Sequence, residues 1–370
     1  MTPKMACTNK GKLIRILDTS YCLYYRHIIG KGSYSVVYGG IDMKNNEKIA
    51  IKKISIKNMD DDTKKLIDAE IIMVNMLVKT SHRNIVRYID VIMMSDVIYI
   101  VMEYCEQGIL ANILIGPMRE NIIKYYFKQL INGIIFLHSN GYVHRDIKPE
   151  NIMLTDNYRT IKIGDFGFCE KNKITENDFY CGTLIYMAPE MIFAQKYDKR
   201  IDIWSAGMVL YEMFYGYHPF KGMDMDALKT MMGSANYQLK FKYSDNTAIN
   251  DESIDVLRRI LTYMEDRIQG IDIIDCEWLC VENNGLPEEI TPINLFYSKG
   301  DKKLSQSLHI ESNLPQIIKV RDNQMISKSQ ITNGRQDGQI SQLFTGEFRD
   351  VIDRWHRPRW PHKQDDSYDR

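Results

Sequence analysis

The sequence predicts an α+β fold, a sheet-rich first part followed by a mostly helical second part. Three observations predict it. From Tyr24 to about Met102, strand-like apolar runs are broken by turn chemistry. One helical stretch, Asp60 to Val78, interrupts them. From Asn121 onward, apolar residues recur at helical spacing. The 370 residues suffice for one two-lobed domain of roughly 250 residues with an appendage, or for two ordinary domains.

In the first part, Asn45-Asn46 ahead of Ile49-Ala50-Ile51 reads as a hairpin turn between two strands. In the second, Ile122, Tyr126, Phe127, Leu130, Ile134 and Leu137 line one helical face, and Ile203, Gly207, Leu210 and Phe214 line another. After about Cys280, Asn, Gln, Ser and Lys dominate and Pro287, Pro292 and Pro315 interrupt. These changes divide the chain into an N-terminal extension (1–22), a folded domain (23–280) and a largely irregular tail (281–370). Within the tail, Phe344, Phe348, Val351, Ile352 and Trp355 fall on one face of an expected amphipathic helix over 341–355. The basic aromatic run from Arg354 to Lys363 suits an acidic docking partner, RNA or a membrane surface; the plainer reading is a solvated tail.

A hydrophobic fraction of 44% and a charged fraction of 26% match soluble globular chains and exclude collagen-like or mostly disordered classes. Lys+Arg and Asp+Glu both total 48, so no global field favours nucleic acid or anionic membrane. The 7 cysteines are odd in number and scattered, which reads as reduced thiols. Cys276 and Cys280 lack the second Cys or His pair of a zinc module. Leu13 to Leu17 is too short for a signal-peptide core, and no apolar run reaches the ~20 residues of a membrane span. The expectation is an intracellular, cytoplasmic protein.

Gly30-Lys31-Gly32-Ser33-Tyr34-Ser35 follows a strand, and glycines at such a place let backbone N–H groups approach phosphate oxygens closely. An ordinary glycine-bearing hairpin would look the same. Ala50-Ile51-Lys52 comes one hairpin later, Glu70 lies on the next helix, and His144-Arg145-Asp146, Asn151, Asp165-Phe166-Gly167 and Ala188-Pro189-Glu190 follow in order. Singly, each charged residue reads as an ordinary ion pair or a satisfied polar group. Together, in this order, they resemble the signature set of the eukaryotic protein kinases, over the stretch from Leu23 to Leu279.

That resemblance implies the bilobal protein kinase fold, with an antiparallel N-lobe sheet carrying one main helix and a mostly helical C-lobe. It also implies ATP and Mg²⁺. Phosphoryl transfer leaves the protein mainly with positioning and with charge on the transferred oxygens. Lys52 would meet the phosphates, with Glu70 as its ion-pair partner; Asn151 and Asp165 would hold Mg²⁺ through hard oxygens. Asp146 would accept the substrate hydroxyl's proton, and Lys148 would reach the transferring group. Val37 and Ala50 match the positions above adenine and Met153 the one beneath; Met102 matches the gatekeeper and Glu103 to Cys105 the hinge. By the same likeness His144 packs near Phe166, Asp202 braces the catalytic loop and Arg267 pairs with Glu190.

Lys148 and Gly182-Thr183 ahead of Tyr186-Met187-Ala188-Pro189-Glu190 point to serine/threonine rather than tyrosine acceptors in protein substrates. Asp165-Phe166-Gly167-Phe168 and Tyr197-Asp198-Lys199-Arg200-Ile201-Asp202-Ile203-Trp204-Ser205 look most like the autophagy-initiating kinases and their calcium/calmodulin-kinase-like relatives. The pattern departs from the family at Ser35, which stands at the third glycine, and at Ile109, where many relatives carry an acid that selects upstream arginine. Glu106 and Glu212 remain near that place. Phe179 stands where a phosphorylated Thr is usual, so Asp178 or Glu176 is expected to supply the anion that Arg145 awaits, with Thr175 and Tyr180 as alternative phosphosites. A catalytically weak scaffold is the alternative function. It is disfavoured because Lys52, Glu70, Asp146, Asn151 and Asp165 are all present, as a small-molecule kinase is by Gly182 to Glu190.

Overall fold

The computed structural model describes residues 13–16, 18–32, 34–57, 59–171, 182–233 and 249–280, with residues 239, 241, 290 and 295. The chain divides into two compact units, Met1–Ser312 and Asn313–Arg370, and the second lies outside the described residues. So do the expected helix at 341–355 and the basic aromatic run after it.

Six strands form the first sheet: β1 (Leu13–Arg15), β2 (Tyr21–Lys31), β3 (Ser35–Asp42), β4 (Glu47–Ser55), β5 (Tyr88–Met93) and β6 (Val97–Glu103). They lie in the order β1-β2-β3-β4-β6-β5 and every neighbouring pair is antiparallel. The turn joining β3 to β4 falls at the expected Asn45-Asn46, because Asn46 accepts a left-handed φ of 60° and Asn45 Oδ1 takes the N–H of Glu47 at 3.0 Å. Side chains alternate across a strand. Ile49 and Ile51 therefore face one way, into a small cluster with Ile16, Leu23, Tyr38 and Val101, and leave Ala50 and Lys52 on the other face.

The sheet begins ten residues ahead of the expected start at 23. Leu13, Ile14 and Arg15 pair with Tyr24, Leu23 and Cys22, and Ile16 is buried. The polar Asp18-Thr19-Ser20, inside the expected N-terminal extension, lies in the hairpin turn, with Asp18 at φ 58° and Thr19 Oγ1 bonded to Ile16 O.

Helix α1 (Asp61–Lys79) crosses between β4 and β5, one residue from the expected bounds at each end. Its N-cap Asp60 accepts from Thr63 N at 2.8 Å, which satisfies one orphan donor of the first turn. Ile67, Ile71, Met73, Val74 and Leu77 bury one stripe and carry Glu70 inward with them.

The second part is helical, as expected: α2 (Glu120–Ser139), then α3 (Pro189–Ile192), α4 (Arg200–Tyr215), α5 (Met225–Met232), α6 (Asp251–Ile260), α7 (Gly270–Ile274) and α8 (Glu277–Cys280). Short strands β7 (Tyr142–Val143), β8 (Ile152–Thr155), β9 (Thr160–Ile163) and β10 (Glu170–Lys171) lie between α2 and α3, paired β8 with β9 and β7 with β10. Helix α4 is buried almost all round, which marks the centre of the lobe rather than its surface. Gly207 lets α6 close on it, since a Cβ there would sit 2.3 Å from Ile260 Cγ2.

The apolar core also runs past the expected boundary near Cys280. Ile290 and Leu295 are buried, and Arg119 N donates to Leu295 O at 3.0 Å. Two isolated anchors in a polar stretch carry no periodic signal.

Candidate active site

One face of the sheet carries the first half of the site. Gly30 registers with Val37, Val37 with Lys52, and Ala50 with Met102. Residues directly opposite share a face, as do residues two apart, so Gly30, Val37, Ala50, Lys52 and Met102 line a single surface. Beyond Lys31 the strand turns sharply, with Gly32 N on Ser35 O at 2.8 Å. A Cβ on Gly32 would lie 3.0 Å from Ser35 Oγ, so the serine at the third glycine place occupies the turn's own interior. Tyr34 is exposed and Ser33 lies outside the described residues.

Glu103 carries its side chain away from this surface. Its carboxylate accepts from Arg87 N and pairs with Lys162 at 2.7 Å. The segment then bends onto β8 through Gln107 N to Leu154 O and Leu154 N to Gly108 O, and Ile109 bridges Met153. Burial pushes the Cys105 thiol up to about 12, which keeps this half-buried sulfur protonated.

Lys52 is the hinge of the charged cluster. Its Nζ lies 2.5 Å from Glu70 Oε1 and 3.0 Å from Asp165 Oδ1, joining β4, α1 and the turn after β9. Burial alone would lower the pKa of this ammonium, but the two carboxylates overcome it and hold it above its usual range. Burial raises the pKa of Glu70, offset in part by Lys52. Enclosure within the cleft would raise that of Asp165 as well, but there the lysine wins and the carboxyl is held below its usual range. Asp165 itself sits at φ 58°, in the left-handed region that costs a non-glycine residue roughly 1–3 kcal/mol.

The catalytic loop is braced from beneath by a wholly buried carboxylate. Asp202, in the first turn of α4, accepts from His144 N and Arg145 N, each at 2.9 Å, and lies 2.8 Å from His138 Nε2. Arg145 is thereby held at φ 68°, the second strained residue of the site. Asp146 follows with four hydrogen-bonding partners. Oδ1 accepts from Thr183 N and Thr183 Oγ1, both at 2.8 Å; Oδ2 accepts from Asn151 Nδ2 at 2.9 Å and Lys148 Nζ at 2.7 Å. Lys148 also donates to Thr183 Oγ1 at 2.6 Å. Gly182 makes this approach feasible, because at φ 95° a Cβ would sit 2.5 Å from Arg145 O.

Asn151 spends its Nδ2 on Asp146, which leaves its carbonyl Oδ1, an acceptor, as the side chain's other polar atom. Its backbone oxygen takes Gly164 N at 3.0 Å, so the asparagine is tied to the residue just ahead of Asp165. His144 is fully buried, its ring 5.1 Å from that of Phe166 and its Nε2 3.2 Å from Gly164 O. It fills space under the turn.

Among the described residues, Lys52, Glu70 and Asp165 are joined by ion pairs, Asp146, Lys148 and Asn151 by hydrogen bonds, and Gly30, Val37, Ala50 and Met102 share a sheet face with Lys52, whereas Glu103 turns its side chain away and Tyr34 is exposed. Three partners escaped the sequence reading in these roles: His138 on Asp202, Thr183 on Asp146, and Glu170, whose Oε2 lies 2.6 Å from Arg145 Nη1. Thr183 was visible as a class marker; His138 and Glu170 carried no signal of their own. Asp178, Glu176, Phe179, Thr175 and Tyr180 lie outside the described residues.

A family model described as the protein kinase domain matches residues 24–279. The chain belongs to the protein kinase family. Among curated relatives of this kinase, the serine/threonine-protein kinase atg1 of Dictyostelium discoideum is 32% identical over 265 residues, 69% of this chain and 39% of that protein. Serine/threonine-protein kinase 33 of Bos taurus is 32% identical over 269 residues, 69% of this chain and 54% of its own. A serine/threonine-protein kinase of Acanthamoeba polyphaga mimivirus is 29% identical over 353 residues, 87% of this chain and 74% of its own, so that likeness runs beyond the catalytic domain. The chain spans only 39% of the Dictyostelium relative's length. No helix among the described residues is long and apolar enough to cross a membrane.

Proposed function

We propose that the chain is an active serine/threonine protein kinase, which moves the γ-phosphoryl group of ATP to Ser or Thr hydroxyls of protein substrates inside the cell. The observation that carries this reading is the wiring of five groups into two bonded clusters. Lys52 joins Glu70 to Asp165, and Asp146 is bonded to Asn151. A scaffold that had lost its chemistry would have no need of all five. Val37, Ala50 and Met102 form the apolar surface for adenine, with Met153 on the opposite wall; the backbone of Glu103 to Cys105 supplies its hydrogen bonds. Gly30 to Ser35 covers the phosphates.

Lys52 neutralises charge on the α- and β-phosphates, held in place by Glu70. Asp165 and the Oδ1 of Asn151 fit Mg²⁺, being hard oxygens brought together by the Gly164–Asn151 bond. Held there, the ion would supply positive charge against the phosphates. Asp146 orients the acceptor hydroxyl and takes its proton, and Lys148 meets the charge on the moving group. Thr183 holds Asp146 from the side of the incoming peptide. The activity proceeds without a phosphate at the place of Phe179.

The test compares wild type with Asp146→Asn in a radiolabelled ATP assay on generic protein substrates with added Mg²⁺. Incorporation into Ser and Thr, lost in the variant, is expected. Incorporation no higher than the variant's would overturn the reading in favour of a scaffold.

A further inference from the structure

Arg145 precedes the catalytic Asp146 and is nearly enclosed, with its side chain 11% exposed. Its Nε donates to Phe168 O at 2.6 Å; its Nη1 donates to Tyr197 OH at 3.2 Å and lies 2.6 Å from Glu170 Oε2. Phe168 and Glu170 both belong to the segment that leaves the Asp165-Phe166-Gly167 turn. Glu170 also opens β10, where it registers with Val143 of β7, the strand that leads into the catalytic loop. Backbone pairing and ion pair thus close one small circuit: β7 to Arg145, Arg145 to Glu170, and β10 back to β7.

The circuit contains one strained residue of the site, Arg145 at φ 68°, and the chain enters it five residues past the other, Asp165 at φ 58°. Such conformations persist only where the surroundings over-determine them. Asp202 fixes Arg145 from one side through its backbone N–H. The guanidinium does so from the other, and an enclosed guanidinium is costly without a carboxylate or equivalent anion.

We propose that Glu170 is the built-in counter-charge of Arg145, a positioning residue that registers the catalytic loop against the metal-binding turn. This rests on the kinase reading above and gives it a regulatory consequence: charge that seats Arg145 is written into the chain's own sequence at Glu170. Glu170 touches neither reacting group; its effect passes through Arg145.

The experiment measures steady-state peptide phosphorylation by phosphatase-treated wild type, Glu170→Gln, Glu170→Asp, Arg145→Gln and the double Gln variant, well below each melting temperature. Expected is full activity in treated wild type and a fall in kcat of about 10-fold in Glu170→Gln, with KM for ATP within about twofold. Glu170→Asp should recover part of the loss. In the Arg145→Gln background the Glu170→Gln change should have little further effect, because the partner is gone. A Glu170→Gln enzyme with wild-type kcat, or losses that simply multiply in the double variant, would overturn the proposal. Should Glu170→Gln fail to melt cooperatively, the Glu170→Asp and Arg145→Gln comparison decides on the same kcat criterion. Wild type inactive against Asp146→Asn sinks the kinase reading instead, so the two failures are separable.

Discussion

Replacing Asp202 by Asn tests whether the catalytic loop is held by charge or only by shape. The carboxylate accepts two backbone N–H groups, from His144 and Arg145, and pairs with His138, at 2.8 to 2.9 Å and with no exposure to solvent. Its pKa is held below the usual carboxylate range: burial opposes this, but the bonds from His138 and His144 outweigh burial. Asn keeps one oxygen and can satisfy the His138 and His144 side. Its NH₂ then faces the N–H of Arg145, donor against donor. One charge-assisted bond is lost, worth roughly 1.5–3 kcal/mol, and a buried donor is left unmet. The restraint on Arg145 at φ 68° goes with it, so strain of order 1 kcal/mol can relax by moving the loop. The sum is about 2–4 kcal/mol of stability, or a fall in Tm of very roughly 4–16 °C for a domain of this size. Differential scanning calorimetry measures the first part. Peptide phosphorylation measures the second: kcat should fall by at least about tenfold with KM for ATP little changed, since Lys52 and the sheet are untouched. A Tm within about 2 °C of wild type together with an unchanged kcat would refute the reasoning.

Three further outcomes follow from the same geometry. Arg267→Met should cost about 3–5 kcal/mol in urea unfolding, because the Glu190 carboxylate, bonded to both Nη1 and Nη2, is left charged and enclosed; adding Glu190→Leu should restore much of the loss. Thr183→Val should lower kcat about tenfold while leaving Tm nearly unchanged, and Thr183→Ser should retain activity, since the hydroxyl links Asp146 to Lys148. His218 is pushed down to about 4 by burial, against an ordinary value near 6.5, so the unfolded chain binds the proton first. Stability is complete above pH 6.5 and declines as pH falls towards 4, by about 3 kcal/mol from this group. His218→Asn keeps an acceptor for Phe220 N in place of Nδ1 and should remove that part of the acid slope; an unchanged slope would argue against His218 as its source.

The loops that carry chemistry were legible because each is a local motif: Asp146, Lys148 and Asn151 fall within six residues, and Asp165 to Gly167 within three. Lys52 and Asp165, 113 residues apart, could be joined only by resemblance to a family, since no spacing rule connects β4 to the turn after β9. What stayed hidden depended on tertiary packing. β1 was placed in the N-terminal extension because three residues are too few to show alternation. Ile290 and Leu295 looked like tail because single apolar anchors have no period. For Arg145 the sequence pointed to Asp178 or Glu176, which lie outside the described residues. Glu170 reaches it through the β7–β10 pairing, which only the fold reveals.

Helix α4 has a consequence for how this molecule opens. It is buried almost all round, yet its first turn holds the backbone of the catalytic loop, and Ser205 one turn on binds the carbonyl of Tyr186. The amide protons of His144 and Arg145, though close to a functional surface, should therefore exchange with solvent only when the whole lobe unfolds. Parts of an enzyme that move during turnover usually belong to the labile end of its opening spectrum. On that expectation the segment bearing Asp146 sits at the resistant end, and the motions of turnover are expected elsewhere in the domain.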